Sequence, residues 1–323
     1  MQKPTASELR TVAGELKETA RALGFSACGI SRAAFLEQEA YRLDEWLRLG
    51  YHASMAWMEN HFEKRVDPTR LVEGARSVVS VLDSYWHPET APQPDGTARV
   101  SRYALGDDYH VVMKERMGVL FDWLDNRVGG IGGRIFVDSA PVMDKVWAMR
   151  SGLGWIGKNT NLIDSRSGSW FFIGELIIDL ELPPDAPATD HCGSCTRCLD
   201  ACPTDALVAP AVLDANRCIS YLTIENREPT ISPDLAEHLD GWIFGCDVCQ
   251  EVCPWNKFSR AATEPRYHPN EGIVGKSFSS WEELSIEDFR ERFRRSPIKR
   301  AKYEGLLRNV AAARRSVTDD SRS

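Results

Sequence analysis

The chain has 323 residues, enough for two or three structural units and a large core. Apolar residues make up 43% and charged residues 27%, an ordinary soluble composition. The net charge of −8 argues against a protein that coats nucleic acid indiscriminately.

The start, MQKPTASELRTVAGELK, has no apolar signal core, and no run is long enough to span a bilayer. Reduced thiols without an export signal point to the cytoplasm and to no membrane partner. Ser7 can cap a helix with the apolar face Leu9, Val12, Leu16 and Ala20, ending at Gly24. Cys28, in SACGI, reads as a buried strand cysteine rather than a nucleophile. A second amphipathic helix is expected over 33–48, with Leu36, Ala40, Leu43 and Leu47 on one face and Gly50 closing it. SVVSVL at 77–82 predicts a buried strand, and 86–97 a loop. A long helix is expected from Asp108 through Val128, ended by the glycines of 129–133. A short strand over 134–137, a helix over 141–151 and an apolar strand over 170–180 follow. ELPPDAPATDH, at 181–191, reads as a linker. The expected fold class is therefore α+β, with an α+β catalytic domain over 1–185, a cluster domain over 186–260 and a helical basic tail over 261–323.

Cysteine spacing carries the chemistry of the second unit. One run is Cys192-x2-Cys195-x2-Cys198-x3-Cys202 followed by Pro203; the other is Cys246-x2-Cys249-x3-Cys253 followed by Pro254; Cys218 lies between them. The first run is the bacterial ferredoxin pattern, whose fourth cysteine ligates the other cluster. Exchange of partners gives Cys192, Cys195, Cys198 and Cys253 for one [4Fe–4S] cluster, and Cys202, Cys218, Cys246 and Cys249 for the other. Zinc is the alternative, but zinc ribbons use paired knuckles separated by a hairpin. Disulfides would need an oxidising compartment.

Ferredoxin modules move electrons, so the first domain should hold an acceptor. Its most unusual stretch is FVDSAPVMDKVWAMRSGLGWIGKNTNLI, at 136–163. Asp138 falls just after a strand and before Pro141, a place common for catalytic groups but also for a plain N-cap. Gly152, Gly154 and Gly157 allow close backbone approach. Lys158, Asn159, Thr160 and Asn161 then offer four consecutive polar side chains between apolar residues, which suits a ligand rich in amides and phosphate. There is no P-loop or G-x-G-x-x-G match.

The string VDSAPVMDK…GLGWIGKNTNLI, then HCGSCTRCLDACPTDAL, then GCDVCQEVCPWN, resembles the epoxyqueuosine reductase family. RVDPTRLVEGARSVV and SRYALGDDYH are similar to it too, so the resemblance covers about 1–310. It implies a cobalamin- and iron–sulfur-dependent oxidoreductase with a nitroreductase-like α/β cobalamin domain and a ferredoxin-like double-cluster domain. The implied reaction reduces epoxyqueuosine to queuosine at the wobble position of tRNA, the last step of queuosine synthesis. The resemblance makes Asp138 the proton donor. It places Ser139 and Ala140 of the 139–141 segment, Lys158, Asn159, Thr160 and Asn161 in corrin-contacting loops, and Asp247 and Val248 where the cluster domain meets the corrin. The reaction takes two electrons, from an external flavodoxin- or ferredoxin-type donor, and two protons. Asp138 must be protonated near neutral pH to serve as acid, which demands desolvation. Asp108-Tyr109-His110 is not a cobalt-ligand motif, because the position of the expected glycine is Met113. Tyr103, Tyr109 and His110 either line the pocket or pack against the sheet. Trp155 and Trp255 are expected near a cofactor.

Residues 290–315 hold ten Lys or Arg against two acids, a candidate phosphate-binding face on Arg294, Arg295, Lys299 and Arg300. Many family members continue with HEAT-like repeats that help hold tRNA, whereas this chain stops soon after KRAKYEGLLRNVAAARRS. The closing SVTDDSRS is expected to be disordered. The chain is read as a monomer. Two rivals remain: a small-molecule reductase of the reductive-dehalogenase kind, and a non-catalytic electron or cobalamin carrier.

Overall fold

The computed structural model describes residues 5–88 and 97–319. Most of the expected 86–97 loop and the last four residues lie outside that description. A four-stranded antiparallel sheet organises the first half: β1 (Ala27–Arg32), β2 (Ser77–Ser84), β3 (Gly133–Phe136) and β4 (Phe171–Ile178). Their spatial order is β1-β2-β4-β3. Every residue of β2 is buried, because helices cover both faces of the sheet. That is why it does not alternate between apolar and polar: Val78-Val79 and Val81-Leu82 run in pairs, and even its polar residues Ser77, Ser80, Asp83 and Ser84 are buried.

On one face, Ile30, Val79 and Leu176 pack with Val12, Leu16 and Ala20 of α1 (Ala6–Ala22) and with Met113 and Leu120 of α3 (Tyr109–Val128). On the other, Val78 and Ile177 meet Leu43 of α2 (Glu37–Arg48) and Trp147 of α4 (Asp144–Arg150). Thr5, not Ser7, caps α1: its hydroxyl accepts from Glu8 N–H, and the Glu8 carboxylate accepts from Thr5 N–H at 2.6 Å. Glu8 makes the difference, because only a cap with an acid three residues on closes this reciprocal box. The second helix starts at Glu37 rather than 33, since Ala33 N–H still bonds Arg76 C=O and Leu36 N–H bonds Val66 C=O. Asp108 caps α3 by accepting from His110 N–H, and Gly129, at φ 79°, ends it.

The segment read as a linker is anchored. Asp185 accepts from Ile30 N–H and from Lys17 Nζ, and its own N–H bonds Ile30 C=O. A second core gathers Val100, Ala104, Leu222, Phe244, Trp281, Phe293 and Val310. It spans the expected boundary near 260 and reaches back to 98–105. Residues Trp242–Phe244 pair in parallel with Arg99–Val100. The final helix, α5 (Tyr303–Asp319), packs here. The Asn309 amide, fully buried, donates to Thr223 C=O at 2.7 Å and to Ile243 C=O at 2.9 Å. The expected disorder of SVTDDSRS is corrected for its first four residues: they continue α5, and the buried Ser316 hydroxyl accepts from Gly241 N–H. No helix among the described residues is long and apolar enough to cross a membrane.

Candidate active site and cluster cages

Eight cysteines divide between two cavities. Cys192, Cys195, Cys198 and Cys253 line one of about 330 Å³, and Cys202, Cys218, Cys246 and Cys249 line one of about 540 Å³. Each run of cysteines leads into a short helix, Arg197–Asp200 and Val248–Glu251. The cysteine between the runs is brought in by the start of helix Ile219–Ile224. A single Zn²⁺ needs its thiolates within about 2.3 Å of one point. Among the described residues, no His, Cys, Asp or Glu side chains converge in that way. The wider cages fit cubanes. N–H groups also point at sulfur, as suits a ligating thiolate: Trp155 Nε1 lies 3.4 Å from Cys192 Sγ, and Ala206 N 3.2 Å from Cys202 Sγ. Trp255 stands edge-on to Trp155 at 5.2 Å and lines the smaller cavity.

The larger cavity lies between the sheet domain and the second cysteine set. Asn159, Thr160, Asn161, Asp247 and Val248 all line it. Thr160 adopts φ 64°, while Lys145 Nζ donates to Thr160 C=O and Asn161 Oδ1. Asn159 Nδ2 donates to Cys249 C=O at 3.1 Å. Asp247 is buried and accepts from Ser101 Oγ at 2.5 Å and Arg102 N–H at 2.8 Å. Burial pushes its carboxyl up to about 6. Lys158 turns the other way: its Nζ bonds Gly193 C=O and Cys195 C=O, bracing the first cysteine turn. Ser139 and Ala140 also lie elsewhere, on a neighbouring cavity of about 770 Å³.

Asp138 lines both the 540 and the 770 Å³ cavities, as do Tyr103 and Tyr109. Its side chain is 61% exposed and therefore open to a ligand. The Tyr109 hydroxyl donates to its carboxylate, and His110 Nε2 lies 3.7 Å away. Its φ is 52°, and Ser139 N–H bonds Val137 C=O across it at 2.5 Å, a strained three-residue turn. Tyr109 is buried and Tyr103 half-buried, and their shielding from water pushes both phenols well above their ordinary pKa and keeps them neutral donors. Asp108 stands behind them. Burial would raise its carboxyl, but hydrogen bonds from His110 and Lys299 outweigh burial and hold it well below the usual range.

Sequence reasoning missed Asp144 and Glu175. Asp144 lines the 540 Å³ cavity, and Glu175 is fully buried in β4 beneath it. The signal was present as one acid in the apolar run FFIGELII, a position where a lone charge is costly.

The basic stretch is partly spent inside the fold. Arg295 pairs with Asp107, Lys299 with Asp108, Arg300 with Glu225 through two bonds, and Arg314 with Glu282. Arg308 donates to the carbonyls of Leu222, Asn226 and Glu228. Even so, Lys299, Arg300 and Lys302 rim the 770 Å³ cavity opposite Asp138.

Comparison with known proteins adds names to this arrangement. Residues 191–256 match the model of a 4Fe-4S double cluster binding domain, and residues 65–139 the model described as epoxyqueuosine reductase QueG, DUF1730. An epoxyqueuosine reductase of Leadbetterella byssophila is 51% identical over 303 residues, covering 94% of this chain and 98% of that one. One from Cellulophaga algicola is 50% identical, covering 91% and 95%. The fold superposes with a TM-score of 0.89, at 31% identity, on a crystal structure of epoxyqueuosine reductase with an epoxyqueuosine-modified tRNA-Tyr stem loop; 97% of this chain and 83% of that one are covered.

Proposed function

The chain belongs to the epoxyqueuosine reductase family, and we propose that it acts as that family's oxidoreductase, reducing epoxyqueuosine to queuosine in tRNA. The observation that carries this reading is Asp138 at the junction of two cavities, one walled by four cysteines and the other rimmed by Lys299 and Arg300. The first suits a redox cofactor beside a cluster, and the second a nucleoside on a phosphate backbone. The relative crystallised with a modified stem loop has the same fold, which supports tRNA as the partner.

The double-cluster region holds two [4Fe–4S] clusters. We assign one to Cys192, Cys195, Cys198 and Cys253, and the other to Cys202, Cys218, Cys246 and Cys249. Cobalamin would take the joined space of the 540 and 770 Å³ cavities beside the second cluster: Asn159, Thr160, Asn161, Asp247 and Val248 would hold it, with Ser139 and Ala140 at the rim. When bound, it would supply electrons at cobalt for breaking carbon–oxygen bonds. The protein's own share is position and protons. Asp138 gives a proton to the departing oxygen, a role worth about 10²–10⁴ in rate. Tyr109 orients that carboxyl. A flavodoxin- or ferredoxin-type one-electron carrier supplies the electrons, and the reaction takes place in the cytoplasm.

The test is anaerobic incubation of cluster- and cobalamin-loaded protein with a chemical or flavodoxin-type reductant and an epoxyqueuosine-modified stem loop. Nucleoside mass spectrometry should show queuosine. A stem loop recovered unchanged refutes the reading.

A further inference from the structure

Epoxide removal consumes two protons, and Asp138 carries one. Asp144 opens α4 at the cavity wall, with its Oδ1 shut off from solvent. Glu175, in the middle of β4, is 0% exposed. Neither Glu175 oxygen meets an N–H or O–H donor among the described residues. The side chain that acts on it is Asp144, at the start of the helix whose Trp147 packs against Ile177 of the same strand. Two neighbouring carboxyls shut away from water and from donors do not both ionise, so a proton stays with the pair.

The neighbouring strands offer Glu175 no counter-charge. Opposite Glu175 lie Ser80 on β2 and Phe136 on β3, both neutral. The facing charged groups are Asp138, Lys145 and Arg65. Lys145 is bonded to Thr160 C=O and Asn161 Oδ1, and Arg65 Nη2 donates to Trp57 C=O. Burial pushes Asp144 up to about 6 and Glu175 well above the ordinary range. Asp144 and Asp138 line the same cavity. An arrangement that costs stability and borders the cavity calls for a use.

We propose that Asp144 and Glu175 hold the second proton of the reaction and reload Asp138 after it has protonated the leaving oxygen. The inference rests on the assigned epoxide reduction. Per turnover two carbon–oxygen bonds break, one carbon–carbon double bond forms and the oxygen leaves as water. Two electrons come from an external one-electron carrier. Asp138 delivers both protons, the first its own and the second drawn from the pair, and solvent replaces them.

The experiment uses the cluster- and cobalamin-loaded protein with Glu175→Gln and, separately, Asp144→Asn. Infrared spectroscopy without substrate should show a protonated carboxyl band at pH 7 that both variants lose. With the epoxyqueuosine-modified stem loop, kcat should fall about tenfold or more while KM holds. A small weak acid such as imidazolium should restore the rate of Glu175→Gln. A parent without the band, or variants as fast as the parent, would overturn the proposal. So would slow variants that no added acid rescues, because the pair would then only hold the Asp138 loop in place. A parent that shows the band yet converts no epoxyqueuosine overturns the assigned reaction, and the reserve's role with it, while the shared proton itself stands.

Discussion

The hydroxyl of Tyr109 donates to the carboxylate of Asp138, and the ring that carries it is clamped between Phe172, stacked at 4.2 Å, and His110, at 4.1 Å. Asp138 sits in a backbone turn that costs about 1–3 kcal/mol and persists only while its surroundings hold it. Tyr109 is one of those restraints. Tyr109→Phe keeps the stacking and removes one hydrogen bond to a charged group, worth about 1.5–3 kcal/mol. Turnover of the modified stem loop should fall about tenfold, with KM little changed. A parental kcat would show that the turn holds without the phenol.

Asp138→Asn is nearly isosteric and keeps an acceptor for Tyr109. Cobalamin binding, followed by its visible spectrum, should match the parent. Turnover should drop by about 10² or more, because the amide has no proton to give. Unchanged turnover would reduce Asp138 to a structural residue of its loop.

Cys218→Ser removes one sulfur from the set that lines the larger cavity. Anaerobically prepared parent should carry about eight iron atoms per chain and the variant about half. Electron paramagnetic resonance of the reduced variant should show one cluster's signal. Loss of both signals would mean that the two cages do not form independently.

Replacing Arg294, Arg295, Lys299 and Arg300 with Ala should weaken stem-loop binding and flatten its dependence on salt, since each phosphate contact adds to that slope. Lys299→Ala also strips Asp108 of its cation, so a thermal melt must accompany the measurement. Identical salt curves for parent and variant would place the RNA elsewhere on the surface.

The carboxyl pair predicts a pH signature independent of catalysis. Asp144 and Glu175 keep their protons in the fold at pH values where the unfolded chain has lost them. The fold therefore binds more protons, and this contribution to stability is present below about pH 4 and falls away as pH rises through about 6. Glu175→Gln removes the conflict. Its melting temperature should gain on the parent between pH 4 and pH 7, by the equivalent of about 1 kcal/mol or more. A constant difference across that range would mean that the pair shares no proton.

The legible parts of this molecule are those fixed by local spacing. Cysteine intervals sort into two cages because a C-x2-C turn and the helix after it determine which sulfurs can meet. The caps of α3 were readable because Asp108 and Gly129 act on their own neighbours. Thr5 was missed because its box depends on Glu8 reaching back. The aim of Lys158 was out of reach for a different reason. Four polar side chains in a row say that something polar is nearby, but only the fold shows that Lys158 grips the cysteine turn while its neighbours face the cavity. The internal pairing of the basic stretch was hidden in the same way: its partners Asp107, Asp108 and Glu225 lie far upstream.

Asn309 has a reach that its place near the chain end conceals. Its amide holds the carbonyls of Thr223 and Ile243, five residues after Cys218 and three before Cys246. The distance between those two sulfurs is thus set in part by a helix that carries neither. Oxygen damage at this cage should loosen the far helix, and amide hydrogen exchange along 303–317 becomes a gauge of cluster integrity that can be read without looking at iron.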